Sequence, residues 1–156
     1  MSPVDAAEIR ALRAELREAV ELLKRPESAQ SKEARNARDV HTDERVCFIV
    51  MPFGPPDLQV VYEDFVRPVV EKCGLQCERG DDMFGSNMIM EDILTSIRRA
   101  RLVVADLTGK NANVFYEVGI CHALSKEVLL LAQSIEDVPF DARFAYFEIV
   151  FQELEV

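Results

Sequence analysis

The sequence is poor in the residues from which metal sites and disulfide frameworks are built. Only His41 and His122 provide imidazole groups in a chain of 156 residues. The 4 cysteines show no CxxC spacing and fall in apolar or amphipathic segments, which favours reduced structural thiols. The sequence therefore gives little support to metal catalysis, and we expect neither a metal ion nor a cofactor.

Long apolar runs and an excess of positive charge are also missing. No apolar run approaches the ~20 residues that a transmembrane helix requires, and the N-terminus lacks a signal-peptide core. The formal net charge of -10 repels nucleic-acid phosphates and anionic lipids, although it leaves room for a local basic pocket that binds a small phosphate ligand. These properties predict a cytoplasmic protein that binds no polynucleotide and no membrane.

Composition divides the chain into three segments. Residues 1–26 are predicted to form an amphipathic, coiled-coil-like helix whose apolar residues step by three and four. That seam consists of Ile9, Leu12, Leu16, Ala19 and Leu23. It predicts either assembly, such as a homo-oligomer, or packing against the helix's own domain. Residues 27–44 contain almost no large apolar side chain and are predicted to be a polar linker. The folded domain is expected at residues 45–156, with the helix detached from it.

The segment 45–156 alternates short apolar runs with amphipathic helices. The runs predicted to be strands are residues 46–51, 75–79, 102–105, 127–132 and 145–151. This succession predicts an α/β fold of the flavodoxin-like (Rossmann-like) type. We expect a five-stranded, mostly parallel sheet in the order 2-1-3-4-5, with helices on both faces and the N-terminal helix in addition.

Residues 101–124 read as a buried strand, a turn and a helix, and they place two acids where chemistry is possible. Asp106 falls where the apolar run ends, and ligands of open α/β sheets bind just past such strand ends. Asn113 is the predicted N-cap of a helix over 114–124. Glu117 then lies near the first turn, on the face that looks inward. The helix dipole is expected to keep its carboxylate ionised, which favours a nucleophile over an acid.

Each of these acids also has a structural alternative. Glu117 can cap backbone amides or pair with an arginine, and Asp106 can fix the turn that follows its strand. Further loop residues are expected to line a cleft at the carboxyl ends of the strands. They are Pro52, Phe53, Gly54, Asp82, Asn111 and Asn113. Phe84 either stacks on a base of the ligand or folds back on the core.

Several segments together resemble one protein family. They are VCFIVMPFG, RGDDMFGSN, IMEDILTSIRRA and LVVADLTGKNANVFYEVGICHALSK. Over about residues 45–151 the chain resembles the nucleoside 2-deoxyribosyltransferase-like superfamily. The likeness is greatest to its TIR-like nucleotide-binding branch, found in bacterial nucleotide-processing and defence proteins. In that superfamily the glutamate of an E-x-G-x-x-x-A element is the catalytic carboxylate, and Glu117 matches it, with Gly119 and Ala123 in register. The family's strand-end aspartate corresponds to Asp106.

The sequence departs from the deoxyribosyltransferases at one position. They usually carry an aspartate six residues before the glutamate, whereas this chain has Asn111, as TIR-like relatives commonly do. A further acid on the preceding helix contributes to the family site, and Asp92 or Glu91 matches it. The resemblance implies cleavage or transfer of the N-glycosidic bond of a nucleoside, nucleotide or NAD-like ligand. The alternative is a non-catalytic module that binds a nucleotide signal and assembles through the N-terminal helix.

Overall fold

The structure, a computed structural model, describes residues 6–24, 41–80, 90–142 and 147–150. Its helices are α1 (Ala6–Lys24), α2 (Pro56–Val60), a π-helical segment (Val61–Val66), α3 (Arg67–Lys72), α4 (Met90–Arg99) and α5 (Ala112–Ala123). Its strands are β1 (Asp43–Val50), β2 (Gln76–Arg79), β3 (Ala100–Asp106), β4 (Val128–Ala132) and β5 (Phe147–Val150). Two 3-10 turns, Ile135–Asp137 and Phe140–Ala142, follow β4.

The strands form a sheet in the order β2-β1-β3-β4-β5, and every neighbouring pair runs parallel. All residues of β3 and of β4 are buried. Such continuous burial is expected where helices cover both faces of a parallel sheet. The prediction of an α/β fold with a parallel sheet is confirmed. Because β1 begins at Asp43, the last two residues of the predicted linker belong to the sheet.

Alternate residues of the strands enter two separate hydrophobic layers. On one face, Cys47 and Ile49 of β1 pack with α1 and with the helical stretch 56–72. On the other face, Phe48 and Val50 pack with α4 and α5. The helices thus occupy the two faces, and the loops that leave the strand ends are confined to the edge of the sheet.

Helix α1 belongs to the core of the domain, so the prediction of a detached helix is wrong. Leu16 and Val20 are completely buried, and Ala19 is 6% exposed. Leu12 and Leu23 pack at the margin of the same layer. An amphipathic stripe predicts that one side of a helix is buried, but it does not identify the surface that buries it. Here that surface belongs to the sheet. In the described part of the chain, no helix is long and apolar enough to cross a membrane.

Polar contacts fix α1 at its C-terminal end. The buried guanidinium of Arg101, at the start of β3, donates to the carbonyl of Leu23. The ammonium group of Lys24 donates to the carbonyl of Cys73, just after α3. Both carbonyls lie at helix ends, where the last backbone acceptors have no partner within the helix. These side chains therefore satisfy backbone groups that would otherwise lack partners, and they tie α1 to both β3 and α3.

Residues 56–72 form one helical stretch, and a π-helical segment accommodates the proline inside it. Pro68 has no amide hydrogen to donate to the carbonyl of Asp64, four residues earlier. The helix widens over Val61–Val66, where the amide of Arg67 bonds back five residues to Tyr62. The carbonyl of Asp64 instead accepts a hydrogen bond of 2.9 Å from Arg13 of α1. The carbonyl that Pro68 leaves without an amide partner is thus satisfied by a side chain from the N-terminal helix.

Candidate functional site

The carboxyl ends of β1 and β3 lie side by side, because the two strands are parallel and Val50 pairs with Ala105. The turn that follows β1 and the turn that follows β3 therefore meet at one edge of the sheet. Pro52 in the first turn is buried, and Phe53 is 54% exposed. Gly54 has φ +107°, a left-handed conformation that side-chain-bearing residues rarely adopt. The predicted cleft residues of these two turns thus share the edge at the carboxyl ends of the strands.

Asp106 is the last residue of β3 and is only 3% exposed. Its Oδ1 accepts a hydrogen bond of 2.9 Å from the amide of Thr108, which fixes the turn as the structural alternative expected. Its buried Oδ2 has no hydrogen-bond partner among the residues that the structure describes. A buried carboxylate oxygen without a donor costs free energy unless something outside the described residues supplies that donor. Asp106 therefore fixes the turn through Oδ1, while its Oδ2 accepts no hydrogen bond from the described residues.

The electrostatic surroundings of Asp106 are unfavourable to its charge. Burial raises the pKa of Asp106 above its ordinary value of 3.8, and the hydrogen bonds from Thr108 oppose this shift. The like charges of Asp137 and Asp57 raise this pKa further. Asp137 belongs to the same edge, since its Oδ2 accepts a bond of 3.0 Å from the amide of Gly109 in the turn after β3. A hydroxyl group that donated a hydrogen bond to Asp106 would stabilise the ionised form of its carboxyl group.

Helix α5 begins two residues earlier than the sequence indicated, and the prediction of Asn113 as its cap is wrong. The N-cap is Asn111, whose side-chain oxygen accepts bonds of 3.0 Å from the amide of Asn113 and 3.3 Å from the amide of Val114. Asn113 itself is exposed in the first turn. Asparagine and aspartate cap helices about equally well. Asn111 therefore preserves the start of the helix while removing the charge that an aspartate would bring.

Glu117 is the sixth residue of α5, so it lies in the second turn and not near the helix terminus. It is half-buried, and burial raises the pKa of Glu117 to about 7. Burial thus outweighs the expected effect of the helix dipole, which weakens beyond the first turn, so the carboxyl ionises less readily than the sequence indicated. Within the described residues, Glu117 has no hydrogen-bond or ion-pair partner. The capping and arginine-pairing alternatives find no support in this part of the chain.

The two flanks of α5 differ in what they contact. Helical residues three and four apart share a flank. One flank, with Phe115, Val118, Gly119 and His122, lines a largely apolar cavity of about 370 Å³ that Leu107, Pro139 and Asp141 complete. Glu117 lies on the opposite flank with Ile120 and Leu124. Since the cavity side faces the segment after β4, the Glu117 side faces α4, which contacts α5.

The remaining predicted site residues are only partly brought together. Asp92 is half-buried in the first turn of α4, the helix that the Glu117 flank faces. No hydrogen bond joins Asp106 to Glu117. Asp82 and Phe84 lie outside the described residues. The two predicted catalytic acids thus lie on different elements and do not form a hydrogen-bonded pair.

Arg79 is a residue of this edge that the sequence did not reveal. It is the last residue of β2 and is 3% exposed. Its Nη1 donates 2.7 Å to Oε1 of Gln59 and lies 3.6 Å from the sulfur of Met51. The guanidinium carbon lies 4.6 Å from the centre of the Tyr62 ring and 5.8 Å from that of Phe53. Its position at the end of the second strand was the available signal.

No protein-family model matches the chain, and no curated protein matches it. Over residues 6–24, 41–80, 90–142 and 147–150, no group of three or more His, Cys, Asp or Glu residues is arranged to hold a metal ion.

The raised pKa of Glu117 predicts a specific dependence of stability on pH. A carboxyl whose folded-state pKa is about 7, above its ordinary 4.5, stabilises the fold when protonated, and this contribution is lost as the pH rises through about 7. Glu117→Gln removes the titration. We therefore expect equal unfolding free energies near pH 4 and an advantage of the variant that grows to at most about 3 kcal/mol at pH 8.

Urea unfolding from pH 4 to pH 8 measures this difference. Asp106 titrates in both proteins, so its contribution cancels. Glu136→Gln, at an exposed position, is the matched control and should run parallel to the wild type. A Glu117→Gln advantage that is the same at every pH would show that Glu117 titrates as in the unfolded chain.

Proposed function

We propose that the chain binds a nucleoside, nucleotide or NAD-like ligand at the carboxyl edge of a flavodoxin-like sheet and cleaves or transfers its N-glycosidic bond. Glu117 is the catalytic carboxylate, and Asp106 holds the ribose. The chemistry is that of a nucleoside deoxyribosyltransferase-like or NADase-like N-glycosidase, as the resemblance to that superfamily implies.

The observation that carries this proposal is the environment of Glu117. A half-buried glutamate with a structural role is normally held by amides or by a cation, and Glu117 has neither among the described residues. Its desolvation raises the pKa to about 7, which is a cost that the fold itself does not recover. A cationic transition state beside the carboxylate would recover that cost. Perturbed carboxylates without structural partners are accordingly candidates for catalysis.

The reaction requires an ionised carboxylate beneath the sugar, and a pKa of about 7 allows Glu117 to ionise near neutral pH. As the bond between C1′ and the base nitrogen breaks, its electron pair leaves with the base, and positive charge develops on the sugar. Ionised Glu117 stabilises this oxocarbenium-like centre or bonds to C1′. Water or the nitrogen of a second base then attacks C1′ and completes hydrolysis or transfer. The departing base takes up its proton from solvent, since the ionised Glu117 carries none.

Asp106 supports the proposal from the other side of the site. Its Oδ2 is a buried acceptor at the edge where ligands of such sheets bind. A ribose hydroxyl that donates to this oxygen satisfies it and favours its ionised form. The hydroxyl is thereby fixed in position, which orients C1′ of the sugar. This role is one of positioning, so the loss of Asp106 affects binding and orientation more than chemistry.

The test is the release of free base from defined ligands by the full chain. We expect incubation with NAD, the four deoxynucleosides and their 5′-monophosphates to yield free nicotinamide or nucleobase, detected by chromatography. A heat-denatured sample is the control for spontaneous hydrolysis. Saturable binding without any release would overturn the catalytic role and establish the signal-binding module instead. The absence of both binding and release would overturn the proposed ligand class.

A further inference from the structure

We propose that the cavity beside α5 binds a small aromatic cation, a flat ring system that carries a protonated amine. The cavity has a volume of about 370 Å³. Ligand pockets in proteins usually measure about 300 to 1,000 Å³, so this one suits a ligand of two fused rings with a short side chain. Because Glu117 lies on the opposite flank of α5, this is a second site, and it does not depend on the proposed function.

Hydrogen bonds hold the walls of the cavity in place. The amide of Leu107, in the turn after β3, donates 2.8 Å to the carbonyl of Leu131. The segment after β4 forms the opposite wall, and it is tied to the same turn because Asp137 accepts a bond of 3.0 Å from the amide of Gly109. A cavity whose walls are already held together loses little conformational entropy when a ligand binds.

The lining favours a flat apolar body. Leu107 is only 1% exposed, Phe115 and Val118 are half-buried, and Pro139 is exposed. The cavity therefore has a buried floor and an open side. Two of these residues carry rings, which pack closely against flat molecules. Covering the apolar walls removes them from water, and this burial is the main source of affinity for an aromatic ligand.

Gly119 lines the cavity from within α5, although glycine destabilises the interior of a helix relative to alanine. Its φ angle is not positive, so the backbone does not require glycine there. A Cβ atom added at this position would meet nothing within 4 Å. Neither the conformation nor a close neighbour among the described residues thus explains the glycine. A side chain here would occupy space that glycine leaves to a ligand.

The charge at the cavity favours a cation. Asp141 is the carboxylate of the lining, and it is exposed on the open side. Within the part of the chain that the structure describes, Asp141 has no hydrogen-bond or ion-pair partner. The formal net charge of -10 repels anions from the whole surface. An amine at the edge of the bound ring system would pair with Asp141 while the rings fill the apolar part.

The experiment compares three naphthalene probes that differ in charge at pH 7. They are 2-naphthylmethylamine, a cation, 2-naphthylmethanol, which is neutral, and 2-naphthoate, an anion. Each is titrated into the isotopically labelled full chain, and the amide resonances are followed by NMR. We expect the amine to shift the signals of Phe115, Val118 and Gly119 and to bind ~3-fold or more tightly than the alcohol, as a solvent-exposed ion pair allows. The naphthoate should bind more weakly than the alcohol, and added salt should reduce both differences.

Two pairs of variants separate the contributions of shape and charge. Gly119→Leu fills the cavity and should weaken binding of the amine ~10-fold or more, with circular dichroism showing that the fold is retained. Ala123→Leu, at an exposed position of α5 outside the lining, should bind like the wild type. Asp141→Asn should bind the amine and the alcohol equally. Its control, Glu136→Gln, is also exposed and outside the lining, and it should keep the preference for the amine.

Four results would overturn the assignment. The first is a wild type whose amides at the cavity do not shift with the amine, and the second is a folded Gly119→Leu protein that binds the amine as tightly as the wild type. The third is a wild type that binds the alcohol or the naphthoate as tightly as the amine, which refutes a cationic ligand. The fourth is a shift of the same amides on dilution without a probe, which would show that a second copy of the chain covers the cavity.

Discussion

Glu117→Gln is expected to lower base release by at least ~100-fold while ligand affinity changes little. Glutamine keeps the volume and much of the hydrogen-bonding capacity of glutamate, but it lacks the charge that an oxocarbenium-like centre requires. Losing one electrostatic stabiliser of a transition state typically costs this much in turnover. Binding survives because the ligand in its ground state carries no positive charge at C1′. The change should therefore appear in kcat and hardly in KM.

The pH dependence of turnover provides a second readout of the same residue. Because the pKa of Glu117 is raised to about 7, wild-type turnover through an ionised carboxylate should increase as the pH rises through that value. The residual activity of the glutamine variant should lack this increase. Asp106→Asn is the informative comparison, since it should raise KM more than it lowers kcat. Equal turnover by a well-folded Glu117→Gln protein would remove Glu117 from the mechanism.

Leu16→Ala is expected to lower the free energy of unfolding by about 2 to 5 kcal/mol. Leu16 is completely buried between the N-terminal helix and the sheet. Its truncation removes apolar surface from the core and leaves a cavity that the surrounding residues fill only in part. Alanine has the highest helix propensity, so the loss will not come from the helix itself. Thermal and urea unfolding measure the difference.

Leu22→Ala is the matched control, because Leu22 lies on the same helix and is 36% exposed. This variant should stay within about 0.5 kcal/mol of the wild type, as is usual at surface positions. Because the apolar side of α1 is part of the core, removal of residues 1–40 should severely destabilise the domain, and the shortened chain should not be a stable unit. If the shortened chain unfolded with the same midpoint as the full one, the contribution assigned to Leu16 would be wrong.

The strands and the residues at their carboxyl ends followed from sequence because their causes are local. The run from Leu102 to Ala105 is apolar and β-branched, and it became the centre of β3. Asp106 terminates that run, so its place at the carboxyl edge was determined by the chain itself. The choice between Asn111 and Asn113 as the helix cap was different. It depends on the tight turn before the helix, where Gly109 and Lys110 take positive φ angles that no apolar pattern reveals.

The features that sequence did not reveal depend on residues far apart in the chain. The apolar stripe of α1 indicated burial without naming the sheet as its partner. The burial of Arg79 results from Met51, Gln59 and Tyr62, which approach it only after the sheet has formed. The pKa of Glu117 likewise reflects desolvation by the packed helices and not its neighbours in sequence. The residues next to each of these positions in the sequence do not show which distant residues will pack against it.

The burial of α1 against the sheet has a consequence for the order of folding. The first helix contacts β5, the last described strand, and packs in one layer with Leu129 and Leu131 of β4. During synthesis this helix is made before β4 and β5, so part of the surface that covers its apolar side is available only later. Closing so long a loop costs conformational entropy before the contacts form, which slows folding. The nascent chain therefore carries part of this apolar side uncovered until β4 and β5 have been made, and exposed apolar surface of this kind favours aggregation.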